Sequence, residues 1–292
     1  VASAIGYAYY LQDQGLYVPV FNCTKGDFLH KKEICYLLEK QRIDFNSLQF
    51  KEQLHGISIP VILVDHHEVA LDQEFLRPYV SEIIDHHLGN PGQFPQLKKT
   101  EILPVGSTAS LIAEKWGERR CPEEIALWLL SAILVDTQNL SDPIKTTALD
   151  RRMVDTLKYD AESLYTILNE LKGEGSPDVL LRKDIKCYRE GAFLYAIASL
   201  PKRIEIPEEE LRLLTIEKGV HALFLWFAED QSKILKLVCE NRELKEAIEE
   251  YLTFPKRERK SETVEFICPA SLSRKTLQPQ LKFLDSIKIQ RL

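Results

Sequence analysis

The sequence predicts two α/β domains, the first built on a mostly parallel sheet with helices on both faces. Three observations carry this. Strand-like and helix-like runs alternate through residues 1–155, the pattern of successive strand–helix units. Two short apolar runs, Ile59 to Val64 and Val80 to Ile84, are bounded by polar residues and read as buried strands. Two glycines, a serine and a proline within Lys172 to Pro177 mark a linker, and a second alternating series follows it.

The elements follow in order. Ala2, Ile5 and Tyr9 give VASAIGYAYYL an apolar helical face. No capping residue precedes it, so the chain reads as a fragment whose first strand and strand-to-helix loop are absent. Tyr17 to Asn22 is strand-like and His30 to Gln41 helical. Between the two apolar strands, Leu71 to Pro78 reads as a short helix, and Gly89 to Gln96 as a loop. Ser107 to Trp116 is a helix with Ser107 near its cap. Pro122 to Val135 is an apolar helix opened by proline and two glutamates, as suits the positive end of a helix. Ala148 to Leu171 reads as a helix polar enough to bridge domains. The expected division is a first domain over 1–155, a connecting helix and linker over 156–177, and a second, smaller α/β domain over 178–292. In the second domain 178–189 reads as a helix, and 193–199, 222–227, 234–239 and 263–268 as strands. Helices are expected at 207–219 and 244–252.

Composition excludes several classes. A net charge of −6 argues against a general nucleic-acid binder, which needs a basic face to neutralise phosphates. The apolar stretch around Ile125 to Val135 is far short of the ~20 residues of a membrane span and reads as a core helix. Six scattered cysteines form no Cys-x-x-Cys pair, which argues against a zinc finger and for reduced thiols in a cytoplasmic protein. The charge run Lys256 to Lys260 reads as a solvated loop.

The chemistry gathers where apolar elements end. Asp65-His66-His67 and Asp85-His86-His87 each close one of the two apolar strands, and four of the seven histidines lie in these triplets. Asp136 follows another apolar stretch, SAILV. A carboxylate beside a core needs a cation, a hydrogen-bond network or solvent. Several Asp and His residues leaving apolar elements together suit a divalent ion held by oxygen and nitrogen donors.

IIDHH followed by VGSTASL resembles the DHH superfamily of metal-dependent phosphoesterases. LVDHH is similar to its second Asp motif and ILVDTQN to its fourth. LLRKDIKCY and LSRKTLQPQL resemble the two basic motifs of the second type of DHH-associated domain. That domain is shared by family II inorganic pyrophosphatases, yeast-type exopolyphosphatase and the prune proteins. VDHH and VGSTASL lean toward the exopolyphosphatase and prune-like branch. The resemblance implies an active site in the cleft between the domains, with two divalent ions, Mn²⁺ or Mg²⁺. It implies that Asp65 bridges the ions, that His86 and Asp136 bind one of them, and that His87 faces the substrate. It gives Asp85 an orienting role on a histidine, and makes Lys186, Arg274 and Lys275 phosphate binders. The family assigns His66 and His67 no firm metal role. Arg182 and Lys183 are expected on the solvated side of their helix. Gly106 and Ser107, opening a helix, are candidates to receive a phosphate on backbone N–H groups or to form a tight helix start. The implied substrate is polyphosphate or pyrophosphate, with protein partners in the prune-like case and neither nucleic-acid polymer nor membrane. The family's first motif, Asp-x-Asp-Ser, would stand before Val1. A chain without it is expected to hydrolyse phosphoanhydrides poorly, and the alternative is a catalytically inactive, prune-like regulatory or protein-binding module.

Overall fold

The computed structural model describes residues 1–286 except 88, 90, 118, 201, 202, 230 and 258–262; the side chain of Lys275 also lies outside the described part. The chain divides into two compact units, Val1–Glu174 and Gly175–Leu292.

In the first unit, helix α1 (Ala2–Tyr10) leads to strand β1 (Val20–Phe21) and helices α2 (Lys25–Phe28) and α3 (Lys32–Lys40). Strand β2 (Gln49–Phe50) pairs in parallel with β1. Strands β3 (Val61–Val64), β4 (Val80–Asp85) and β5 (Lys99–Ile102) form a three-stranded parallel sheet with β4 in the middle. Helices α4 (Thr108–Trp116), α5 (Glu123–Asp136), α6 (Ala148–Leu157) and α7 (Ala161–Gly173) complete the unit.

Burial follows from composition. The α5 sequence EEIALWLLSAILVD is apolar on every side after its first turn, and such a helix must lie inside. One face packs Leu127, Leu130 and Leu134 with Phe21, Phe28 and Phe50. The other packs Ile125, Leu129 and Ile133 with Tyr7, Ile84 and Ile112. Gly6 lets α1 lie against α5, since a Cβ there would stand 2.5 Å from Leu129.

Two expectations are corrected here. The helix expected over 148–171 is broken at Lys158, which takes a left-handed conformation (φ 49°), and Asp160 then caps α7 by accepting from Ser163 N–H. Helix α7 does not bridge domains: Leu164 and Leu168 are buried in the first unit's core beside α3 and α5. The short helix expected over Leu71 to Pro78 is present as a 3₁₀ helix, Leu71–Tyr79, with Pro78 inside it.

The second unit is a mixed six-stranded sheet. It contains α8 (Pro177–Lys183), β6 (Lys186–Glu190), β7 (Phe193–Leu200) and α9 (Glu208–Lys218). These are followed by β8 (Ala222–Glu229), β9 (Ser232–Val238), α10 (Arg242–Tyr251), β10 (Lys256–Arg257), β11 (Val264–Pro269) and α11 (Arg274–Leu277). The order is β10-β11-β9-β8-β7-β6, with β7 and β8 parallel and the other pairs antiparallel. Leu180, Leu211 and Leu214 cover one face; Leu244, Ile248 and Leu277 cover the other. The helix expected over 178–189 ends at Lys183, and Lys186 opens the edge strand β6. Lys256 and Arg257, from the charge run expected to be a loop, pair with β11 as a short edge strand.

Candidate metal centre

The two Asp-His-His triplets stand at the same end of adjacent parallel strands, β3 and β4. This is the carboxyl end, where ligand crevices open in α/β sheets. Asp65 lies one residue beyond β3, in a left-handed conformation (φ 70°), with its N–H donating to Ile84 O at 2.9 Å. Aspartate tolerates this conformation better than most residues. Its side chain is 40% exposed.

Asp85 is the last residue of β4 and is fully buried. Both its oxygens are engaged. Oδ1 accepts from His86 N–H and from His87 Nδ1, each at 2.7 Å. Oδ2 takes His67 Nδ1 at 2.7 Å. Burial pushes its carboxyl upward, but the hydrogen bonds from His67 and His87 outweigh this and hold it far below the usual carboxylate range. An ionised Asp85 only accepts, so Nδ1 of His67 and of His87 carries the proton. The carbonyls of Val105 and Val64 do the same for His86 and His66, whose Nδ1 atoms lie 3.0 Å from them. Nδ1 of all four rings is thus engaged, which leaves Nε2 as the atom that would ligate a metal in the neutral imidazole.

His86 Nε2 stands 3.5 Å from Asp65 Oδ1. Asp136, last residue of α5, is held by Ser107 Oγ, which donates to its Oδ2 at 2.6 Å. The next residue, Thr108, donates from Oγ1 to Asp65 Oδ1 at 2.8 Å. Burial raises the Asp136 carboxyl, the Asp65 charge adds to this, and Ser107, His86 and Lys172 oppose it. Asp65 and Asp136 are thus held by adjacent residues of one turn, and His86 Nε2 lies beside Asp65, while Asp136 is not part of the cluster formed by Asp65, Asp85, His86 and His87. A carboxylate whose ionisation is disfavoured by burial and by a neighbouring carboxylate, beside an imidazole nitrogen, fits a divalent cation. One donor atom from each of Asp65, Asp85, His86 and His87 also lies within 4.8 Å of the others. Because both Asp85 oxygens already accept imidazole or amide protons, Asp85 fits the orienting role rather than direct ligation.

Gly106 and Ser107 differ from one of the two expectations for them. Their N–H groups donate to Asp150, at 2.9 and 3.3 Å, so neither is open to a phosphate as it stands. Ser107 caps α4, accepting from Ala109 N–H. One residue at the site, Asp150, was missed in the sequence, and the part played by His67, given no firm role there, comes from the fold. His67 shares Asp85 with His87, and Asp150 is a fully buried carboxylate behind the Gly106–Ser107 turn. The Thr147-x-x-Asp150 capping box was the available signal for Asp150.

Of the basic residues, Arg274 donates from Nη1 to the Asp184 carbonyl at 2.7 Å and to its carboxylate at 2.9 Å, within the second unit. Lys186 lies on the exposed edge strand β6. The Lys275 side chain falls outside the described residues. Arg182 is tied to Asp178 and Glu217. All six cysteines are free thiols. No helix among the described residues is long and apolar enough to cross a membrane.

Comparison with known proteins follows from this geometry. No family model matches the chain. It is 28% identical to Homo sapiens exopolyphosphatase PRUNE1 over 214 residues, 65% of this chain and 47% of that protein. It is 29% identical over 237 residues to a Schizosaccharomyces pombe protein provisionally named an exopolyphosphatase, covering 70% of this chain and 61% of the relative. It is 34% identical over 129 residues to a provisionally named manganese-dependent inorganic pyrophosphatase of Archaeoglobus fulgidus, covering 43% and 38%. The chain thus spans about half the length of the curated relatives it matches. A crystal structure of a Methanococcus jannaschii protein, provisionally a family II inorganic pyrophosphatase, matches with a TM-score of 0.72 at 21% identity, over 98% of this chain and 95% of that one. The fold is therefore that two-domain α/β fold, and the similarities bear out the resemblance to the exopolyphosphatase and prune-like branch of the DHH superfamily.

Proposed function

We propose that the chain is a metal-dependent hydrolase of phosphoanhydrides, acting on pyrophosphate or short polyphosphate. One observation carries the reading: the adjacent hydroxyls of Ser107 and Thr108 hold Asp136 and Asp65, His86 Nε2 lies 3.5 Å from Asp65 Oδ1, and Asp85 fixes the neighbouring imidazoles. The names of the relatives support the same chemistry.

Asp65, His86 and Asp136 would hold a divalent ion, Mn²⁺ or Mg²⁺. Bound divalent ions lower the pKa of water and polarise a phosphoryl oxygen. The remaining work falls to the protein. Asp85 holds His87 with Nδ1 protonated, so Nε2 is the atom that meets the substrate. Ser107 and Thr108 keep the two carboxylates oriented through their hydroxyl hydrogens. Within the second unit, Lys186 and Arg274 would offer positive charge to a phosphate. A guanidinium grips two oxygens, whereas an ammonium acts as a point charge. Asp184 already fixes Arg274 through Nη1, which reduces the freedom Arg274 loses on binding.

Phosphate release from pyrophosphate and from polyphosphates of several lengths, with Mn²⁺ and with Mg²⁺, tests the proposal. Asp136→Asn should remove at least about a hundredfold of any metal-dependent rate. Arg274→Ala should weaken phosphate binding and leave Mn²⁺ affinity intact. Tight binding of Mn²⁺ and phosphate without turnover of any of these substrates would overturn the hydrolase reading in favour of a regulatory binding module.

A further inference from the structure

Asp150 contacts none of the residues that would hold a metal, yet it is connected to two of them. It sits in the first turn of α6, is fully buried, and accepts five hydrogen bonds. Two come from Thr147, N–H at 2.7 Å and Oγ1 at 2.6 Å. The first of these, with Asp150 N–H donating back to Thr147 Oγ1 at 3.5 Å, forms the capping box of α6. The other three come from a different part of the chain: Gly106 N–H at 2.9 Å, Ser107 N–H at 3.3 Å and Ser110 Oγ at 2.6 Å. A capping box needs only one of the five. The other three bind the start of α4 to α6.

That start of α4 is where the two carboxylates are held. Ser107 turns its backbone N–H to Asp150 and its hydroxyl to Asp136. Thr108, the next residue, turns its hydroxyl to Asp65. The turn lies tight on Asp150, because a Cβ at position 106 would stand 2.7 Å from Asp150 Oδ2 and 2.6 Å from Thr137 Cγ2. Burial alone would raise the Asp150 carboxyl, but the donors from Ser110, Thr147 and Gly106 outweigh it and hold it below its ordinary value.

We propose that Asp150 is a positioning residue of the candidate metal centre: it clamps the Gly106–Thr108 turn, whose two hydroxyls set the places of Asp136 and Asp65. The inference rests on reading those two carboxylates as metal ligands. Groups that orient ligands from behind typically contribute about 10- to 100-fold to metal affinity. Asparagine cannot replace this carboxylate, because its amide NH₂ would face N–H and O–H donors.

The test compares Asp150→Asn with Asp160→Ala, which removes the cap of α7 and has no link to the site. Metal-free crystal structures and Mn²⁺ titration calorimetry are measured on both and on the unaltered chain. Asp150→Asn should lose the Ser107–Asp136 or the Thr108–Asp65 hydrogen bond and bind Mn²⁺ about 10- to 100-fold more weakly. It should lower kcat on pyrophosphate more than it raises KM, whereas Asp160→Ala should change none of these. Ser107→Ala combined with Asp150→Asn should weaken Mn²⁺ binding less than the sum of the two, since both act through one turn. Both hydrogen bonds retained in Asp150→Asn, or Mn²⁺ affinity unchanged, would overturn the proposal. If the carboxylates move but the unaltered chain itself binds no Mn²⁺, the metal reading fails and the positioning role stands. Should Asp150→Asn not fold, Thr147→Val removes one donor and keeps the carboxylate. It should weaken Mn²⁺ binding several-fold, and wild-type affinity there would equally overturn the proposal.

Discussion

The same tripeptide, Asp-His-His, occurs twice within 23 residues and does opposite work in its two places. In the first, the aspartate is 40% exposed, has left its strand and faces an imidazole nitrogen. In the second, the aspartate is fully buried, still belongs to its strand and accepts from three groups. Strand position accounts for the difference. β3 is an edge strand and stops at Val64, so Asp65 can turn out. β4 is the middle strand and remains paired to β5 as far as Asp85, opposite Ile102. A carboxylate there must find its partners inside, and the imidazoles on either side supply them. Placement in the sheet, rather than the tripeptide itself, decides which aspartate is left exposed and which is locked by its neighbours.

One substitution made in both places gives the largest contrast. Asp85→Asn should cost about 3 kcal/mol, because an amide NH₂ meets an imidazole N–H in a buried site. Asp65→Asn keeps a side chain that tolerates φ 70° and should cost less than about 0.5 kcal/mol, while Mn²⁺ binding collapses. Urea denaturation without metal reads both, and equal costs would erase the distinction. The sign with pH follows from the depressed carboxyl of Asp85. Its contribution is present above the unfolded value of about 3.9 and is lost only as pH falls toward the much lower folded value. The gap between Asp85→Asn and the unaltered chain should therefore hold steady from pH 7 to about pH 5 and narrow in stronger acid.

The histidines should follow the same division at smaller scale. His67→Ala removes a donor from buried Asp85 and should cost about 2 kcal/mol. His66→Ala releases only the Val64 carbonyl and should cost about 0.5 kcal/mol. Thermal melts of the two variants would expose a reversal of that order. An effect of opposite sign, between those of the two histidines in size, is expected at Asp136. Its carboxyl is raised by burial and by Asp65, so ionisation at neutral pH disfavours the metal-free fold. Asp136→Asn should stabilise that form by about 1 kcal/mol at pH 7, and the gain should fade as pH falls to where Asp136 is protonated in the folded and unfolded chain alike. No gain at any pH would mean that something other than Asp65 sets the charge of Asp136.

The parts of this arrangement that were legible share one property. Val61 to Val64 is an apolar run, Val80 to Ile84 is apolar at Val80, Ile83 and Ile84, and α5 is apolar on all sides, so each announces its burial and has an aspartate at its end. Strand β5 was not legible, because Lys-Thr-Glu-Ile at a sheet edge carries no apolar run. β6 was read as helix for a similar reason: Lys186 to Glu190 is largely polar and pairs on one side only. Asp150 and His67 stayed hidden because their roles depend on partners 44 and 18 residues away in the chain. Local pattern carries no information about such pairs. Gly106 and Ser107 announced a helix start correctly, but only the fold reveals that their N–H groups are already taken.

The middle position of β4 also bears on how the site opens. Amide protons at the centre of a buried sheet exchange only when the whole unit unfolds, whereas edge strands and residues beyond them exchange through small local openings. Val80, Ile83, Ile84 and Asp85 have no exposed surface, and two strands hold them. Asp65 is tied to the sheet through its N–H to Ile84 and lies past the end of an edge strand. Fluctuations will therefore release the Asp65 side long before the Asp85 side. The imidazoles anchored on Asp85 stay set while the Asp65 wall moves, and an ion can enter or leave without disturbing them.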